Sequence, residues 1–227
     1  MPRKAFERDL QRLQDQLLVM ASMVESALLD SVKALKVRDM KRSRRLIADD
    51  AIVNEKRYAI ESFTLGLIAT QQPIARDLRT LAAILEIAAE LERIGDYAKG
   101  IARINLMIGD HPLIKPLIDL PRMAEIAESM LHRSLDSFVG RDIELAQAIV
   151  ADDDRVDELY DLVYRELMDF VVADQANIEQ ANHLLWAAHN LERAADRATN
   201  ICERVIFTVS GKLVDVGSEN EGMESLG

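Results

Sequence analysis

The chain has 227 residues, enough for one domain or two small ones, and 49% are apolar, enough to build a core. Aromatics are only 4%, with nine Gly and five Pro, a composition that favours helix over strand. Twenty-eight Lys plus Arg against 39 Asp plus Glu give a net charge of −11, which excludes nucleic acid as a partner and argues against resting broadly on an anionic membrane.

The opening MPRKAFERDLQRLQ is charged and lacks the apolar centre of a secretory signal, so a cytoplasmic location is expected. From Leu10, the series Leu13, Leu17, Met20, Val24, Ala27, Leu28, Ser31 and Leu35 steps by three and four, as one buried helix face does. Val37-Arg38-Asp39 breaks it, and a second helix runs to about Thr70. The longest stretch without charge, residues 62–75, is shorter than the roughly 18 apolar residues a membrane span needs. Gln71-Gln72-Pro73 ends the second helix, because proline disfavours helix at the residue before it. A third helix runs to about Met107. Residues 109–121, with three prolines, read as a linker. A fourth helix follows over about 122–139 and breaks at Gly140-Arg141-Asp142. A fifth then runs to about Ala173 and a sixth over about 176–208, before a polar, Gly-rich tail expected to fray.

The second half repeats the first. Glu25-Ser26 matches Glu128-Ser129 at a shift of 103, and Ala48-Asp49-Asp50 with Glu55 matches Ala151-Asp152-Asp153 with Glu158. At a shift of 100, Leu91-Glu92-Arg93 with Asp96, Ala98 and Ile101 matches Leu191-Glu192-Arg193 with Asp196, Ala198 and Ile201. Matches in three helices at nearly constant shifts mark a duplication. The expected fold is all-α: two tandem antiparallel three-helix bundles over 1–108 and 122–210, a linker over 109–121 and a tail over 211–227.

Carboxylates sit on faces that should pack. In the third helix Leu78, Leu81, Leu85 and Ala88 share a stripe with Glu92, and Asp96 lies beside it. In the sixth, Ile178, Ala181, Leu185 and Ala188 align in the same way with Glu192 and Asp196. The fifth helix carries Ile149, Val156, Tyr160 and Leu167 on a stripe with Asp153, and Asp157 at its edge; the first-copy positions are Asp50 and Asn54. If these helices face each other, Glu92, Asp96 and Asp50 converge, as do Glu192, Asp196, Asp153 and Asp157. Charge gathered on a packing face must be paired, protonated or neutralised, and oxygen ligands suit Mg, Mn, Ca or Fe. The plainer reading is that Arg93 and Arg193 satisfy Asp96 and Asp196 as i,i+3 ion pairs.

Other features carry less. His183 and His189 lie near the second cluster, and Cys202, Met20, Met23 and Met130 read as apolar filler. A single cysteine allows neither an intramolecular disulfide nor a thiolate cluster. Lys36, Arg38, Lys41, Arg42, Arg44 and Arg45 crowd the first hairpin tip, as a solvated end or as a docking point for an acidic partner or membrane leaflet. There is no Walker A loop, dinucleotide glycine motif or nucleophile elbow, and no Glu is followed by His at the di-iron oxidase spacing.

The segments QQPIARDLR (71–79), LERIGDYAKGIA (91–102) and LERAADRATNI (191–201), with the ending VIFTVSGKLVDV, resemble the signatures of the PhoU family. That resemblance implies a non-enzymatic negative regulator of phosphate uptake and of the phosphate-starvation response. Its implied partners are the ATPase subunit of the phosphate ABC transporter and the phosphate-sensing histidine kinase, with membrane association only through them. A homodimer is expected from exposed apolar positions on long helices. The resemblance also implies Fe, Zn, Mn or Mg held by Glu/Asp-x-x-x-Asp motifs in an exposed groove: Glu92 with Asp96, Glu192 with Asp196, and Asp153 with Asp157. Asn54 and Gly100 depart from the pattern in the first copy. The competing reading is a metal-dependent enzyme or metal store using the same carboxylates; a third is a helical scaffold with incidental acids.

Overall fold

The computed structural model describes residues 2–213. Among the described residues seven α-helices follow one another: α1 Pro2–Val37, α2 Met40–Gln71, α3 Ala75–Ile108, α4 Asp119–Gly140, α5 Ile143–Val150, α6 Asp153–Ala173 and α7 Ile178–Ser210, with a 3₁₀ turn Gln175–Asn177 before α7. Among the described residues there is no strand. The tail expected to fray lies, beyond residue 213, outside the described residues.

The two hairpin turns are built alike. Arg38 and Arg141 each take a left-handed conformation, at φ 60° and 58°. The next residue is an aspartate that caps the following helix: Asp39 accepts from the Arg42 amide at 2.8 Å and Asp142 from the Leu145 amide at 2.9 Å. A left-handed arginine costs strain that glycine would avoid. Arg38 repays part of it, because its guanidinium donates to Asn105 Oδ1 and to the Gly109 carbonyl.

Three expectations need correction. The fifth helix is two helices, α5 and α6, parted at Ala151-Asp152. Three successive aspartates begin there, and carboxylates favour a helix N-terminus over an interior. Asp152 stays at the break, held by Arg133 Nη1 at 2.5 Å and Arg155 Nη1 at 2.9 Å. In the matching stretch of α2, residues Ala48-Asp49-Asp50, the helix runs through unbroken. Secondly, the stripes that end in acids are edges of the buried faces, not their centres. Leu81 and Ala88 are buried, but Leu78 is 43% exposed; Ala181 and Ala188 are buried, but Ile178 is 53% exposed. The α4 start also lies at Asp119, inside the expected linker.

Helices α1, α2 and α3 pack on one another, as do α4, α5–α6 and α7. The two units join through α3 against α7 and α1 against α4, leaving α2 and α5–α6 on the flanks. Duplication shows in the seam. Glu90 of α3 meets Arg197 at 3.4 Å and Asn200 at 3.3 Å. Its counterpart Asn190 meets Gly100, where an added Cβ would stand 3.1 Å from the Asn190 amide nitrogen. Arg204 spans the same seam to Glu86 at 2.8 Å, and the Arg193 guanidinium lies 4.9 Å from the Tyr97 ring centre.

The core includes Leu13, Leu17, Met20, Ile84, Leu91 and Ile94 in the first unit, and Met130, Leu184, Leu191 and Ile201 in the second. Cys202 is fully buried as expected, and burial pushes its thiol up to about 12. Asn105 is one of the polar residues within the core. Fully buried, it donates to Ser43 Oγ at 2.8 Å and the Ala34 carbonyl at 3.1 Å, and accepts from Arg38, tying α1, α2 and the turn between them to α3.

Candidate functional site

The second unit brings four expected acids together. Asp153 opens α6 and Asp157 follows one turn on, while α7 presents Glu192 and Asp196 from across the groove. Burial raises the Asp153 carboxyl from 3.8 to about 7, reinforced by the negative charges of Asp196, Asp157, Glu192 and Asp154. Burial is also the first cause for Asp157, raised further by Asp196, and for Glu192, raised further by Asp196 and restrained by His189. Burial lifts Asp196 too, against the pull of Arg197, Arg193 and His189. Repulsion of this kind places the four groups within reach of one another's charge.

Little in the chain neutralises them. Among the described residues no cation pairs with Asp153 or Asp157, and Asp153 Oδ1 is buried without a hydrogen bond. His189 Nδ1 lies 2.9 Å from Glu192 Oε2, close enough for an ion pair. His189 thereby pulls the Glu192 carboxyl down against its burial. His189 stacks at a tilt on Tyr160, with centroids 6.2 Å apart, and Tyr160 in turn feels the Glu192 charge. The anticipated Arg193–Asp196 pair does not form: Arg193 is drawn across the seam onto Tyr97. Orphaned, buried carboxylate oxygens fit a cation. Among the described residues no three His, Cys, Asp or Glu side chains already stand as a metal-holding group. A bound ion would therefore have to draw the repelling carboxylates inward.

The first unit solves the same problem differently. Asp50 is only 8% exposed, and Lys99 Nζ lies 2.6 Å from its Oδ2 and 3.2 Å from Asp96 Oδ1. Asn54 Nδ2 donates to the same Asp50 oxygen at 3.2 Å. The hydrogen bond to Asp50 is the main cause that raises the Lys99 ammonium above its ordinary value. Asp50 and Asp96 thus converge, on a lysine that the sequence reasoning passed over. Glu92 stands half-buried beside them on α3 with no bond to either, and no Arg93–Asp96 pair forms. A cleft of about 340 Å³ opens over the pair, lined by Ser22, Ser26, Asp30 and Asp49 as well. Lys99 could have been found by setting the two third helices in register at a shift of 100 and comparing charges: its counterpart is Thr199.

The remaining candidates fall elsewhere. His183 lines a separate cleft with Met107 and His111, toward the other end of α7. At the basic tip Arg38 is consumed by Asn105 and Gly109, and Arg42 by Asp30, leaving Lys36, Lys41, Arg44 and Arg45 exposed.

Fold and grooves together define an all-α protein of two duplicated three-helix units, each with an acidic groove beside its third helix. Comparison with known proteins gives that class its family. The family model described as "PhoU domain" matches the chain twice, over residues 17–104 and 120–205. The chain is 37% identical over 220 residues to a "Phosphate-specific transport system accessory protein PhoU homolog" of Clostridium acetobutylicum, covering 95% of this chain and 99% of that protein. It is 35% identical over 207 residues to the Escherichia coli (strain K12) "Phosphate-specific transport system accessory protein PhoU", covering 91% and 86%. Crystal structures of PhoU from Streptococcus pneumoniae and Pseudomonas aeruginosa superpose with TM-scores of 0.86 and 0.86, each at 30% identity. They cover 92% and 91% of this chain, and 99% and 100% of theirs. The chain belongs to the PhoU family, whose matched members are named as accessory or regulatory proteins rather than enzymes. Among the described residues, no helix is long and apolar enough to cross a membrane.

Proposed function

We propose that this chain is a cytoplasmic, non-enzymatic regulator of phosphate transport that holds uptake and the phosphate-starvation response down when phosphate is plentiful. Its partners in this reading are the ATPase subunit of the phosphate ABC transporter and the phosphate-sensing histidine kinase, met through helical surfaces rather than a catalytic pocket. The match of both halves to accessory proteins of the phosphate-specific transport system supports it. Deleting the gene and reading a phosphate-starvation reporter at high phosphate tests it, with derepression expected. Unchanged reporter output and unchanged phosphate uptake would refute it.

The second-unit groove is the proposed metal site, with Asp153, Asp157, Glu192 and Asp196 as the oxygen donors. The observation that carries this is the buried Asp153 Oδ1, which makes no hydrogen bond and faces three further carboxylates. A bound cation such as Fe, Zn, Mn or Mg would neutralise the groove. The chain's own contribution is to set two carboxylates on each of two helices and, among the described residues, to leave Asp153 and Asp157 without a paired cation. Metal analysis of purified protein and of a Glu192→Ala/Asp196→Ala variant tests the site. Metal content that is equal in the two proteins would remove it.

A further inference from the structure

In the aligned third helices Lys99 stands where Thr199 stands, and the two residues act in opposite ways. Lys99 reaches across the groove to Asp50 on α2 at 2.6 Å and meets Asp96 of its own helix at 3.2 Å. Thr199 turns back along its own helix and donates its hydroxyl to the Asp196 carbonyl at 2.7 Å, contributing no charge to the groove. In the second unit Asp153 and Asp157 face Glu192 and Asp196, with His189 beside Glu192 and the charges of Arg197 and Arg193 acting on Asp196 from outside. In the first, Asn54 removes one carboxylate and Lys99 balances another.

We propose that Lys99 is a built-in cation that closes the first groove to metal, so that the chain takes up metal in the second unit alone. The proposal rests on the reading of the second groove as a cation site, and extends it by naming the residue that makes the units unequal. An ammonium is a compact point charge with three donors, so it can bridge two carboxylates much as a metal ion would. Lys99 occupies the space between Asp50 and Asp96, and its positive charge repels any second cation there. The closure is electrostatic and not a matter of room. The cleft of about 340 Å³ beside Asp50 and Lys99 also carries Asp49, an oxygen donor that remains when the ammonium is removed.

The test is equilibrium binding of Mn(II) to the full metal-free chain, counting free ion by electron paramagnetic resonance. The wild-type chain should show one set of sites, lost in Asp153→Asn/Asp157→Asn. Lys99→Thr should gain a second set, which a further Asp50→Asn change removes, whereas Lys99→Arg should gain none. Lys99→Gln, whose amide can still donate to Asp50, serves if the threonine variant does not fold, and should also gain the second set. Two sets in the wild-type chain, one of them lost in Asp50→Asn, would overturn the role of Lys99 while leaving the second-unit site intact. One set in the wild type with no gain on either lysine change would overturn it as well. No binding by the wild-type chain would instead remove the second-unit site, and a site gained in Lys99→Thr even then would still support closure by Lys99.

Discussion

The metal-free second groove should make stability depend on pH in a way that one substitution cancels. Asp153 is raised from 3.8 to about 7 in the folded chain, so the folded state holds this proton more tightly than the unfolded state does. The stability this gives is fully present below about pH 4 and is lost as pH rises through 7, because folding then forces a fourth charge into the groove. At about 1.4 kcal/mol per unit, a shift of roughly 3 units sets a ceiling of about 4 kcal/mol, which partial solvent exposure reduces to about 1–2 kcal/mol. Asp153→Asn keeps the shape and a good helix-start residue but cannot ionise. In EDTA at pH 8 it should melt about 3–6 °C above the wild-type chain, on a scale of roughly 2–4 °C per kcal/mol for a chain of this size. The gap should shrink steadily as pH falls and close near pH 4. Thermal melts followed by circular dichroism at several pH values check this. If Asp153→Asn melts at or below the wild type at pH 8, or if the gap is independent of pH, the four acids do not crowd one another as described.

Three further outcomes follow from the packing. Asn105→Leu should cost about 2–4 kcal/mol in denaturant titrations, because it leaves Ser43, the Ala34 carbonyl and Arg38 without their buried partner. The two left-handed arginines should respond differently to glycine. Arg141→Gly should be neutral or stabilising by up to about 1 kcal/mol, since its guanidinium makes a long 3.4 Å bond to the Thr208 carbonyl, while Arg38→Gly should destabilise by losing its two bonds to α3 and Gly109. Cys202 should resist a thiol reagent at pH 8 until denaturant is added, being fully buried with its thiol pushed up to about 12; prompt labelling of the native chain would contradict that burial.

Periodicity and duplication were open to reading because both are written in residue identities. Leu13, Leu17, Met20 and Val24 are buried as their spacing implies, and the family model matches both halves. The α5–α6 break was hidden. An apolar stripe through Ile149 and Val156 continues across it, and the pull of Asp152 toward Arg133, a residue on another helix, is not written in the local sequence. The convergence of Asp153, Asp157, Glu192 and Asp196 was legible because helical geometry fixes which side chains share a face. Their pairing was not. Arg193 is close in sequence to Asp196, yet lies on Tyr97 of the other unit, a choice that tertiary packing makes. Lys99 was missed because the search was for acids, and a cation that quenches acids looks like any surface lysine until its partner on a second helix is known.

That Arg193–Tyr97 contact has a mechanical corollary. Arg193 is the chain neighbour of Glu192, and Tyr97 is the chain neighbour of Asp96, so each groove is one residue away from a stacked cation and ring. A rigid rod that twists to bring Glu192 inward must carry Arg193 with it, and the ring beneath must follow or lose its partner. The two halves are geared together at that point, and an event in one would be felt in the other without any loop having to move.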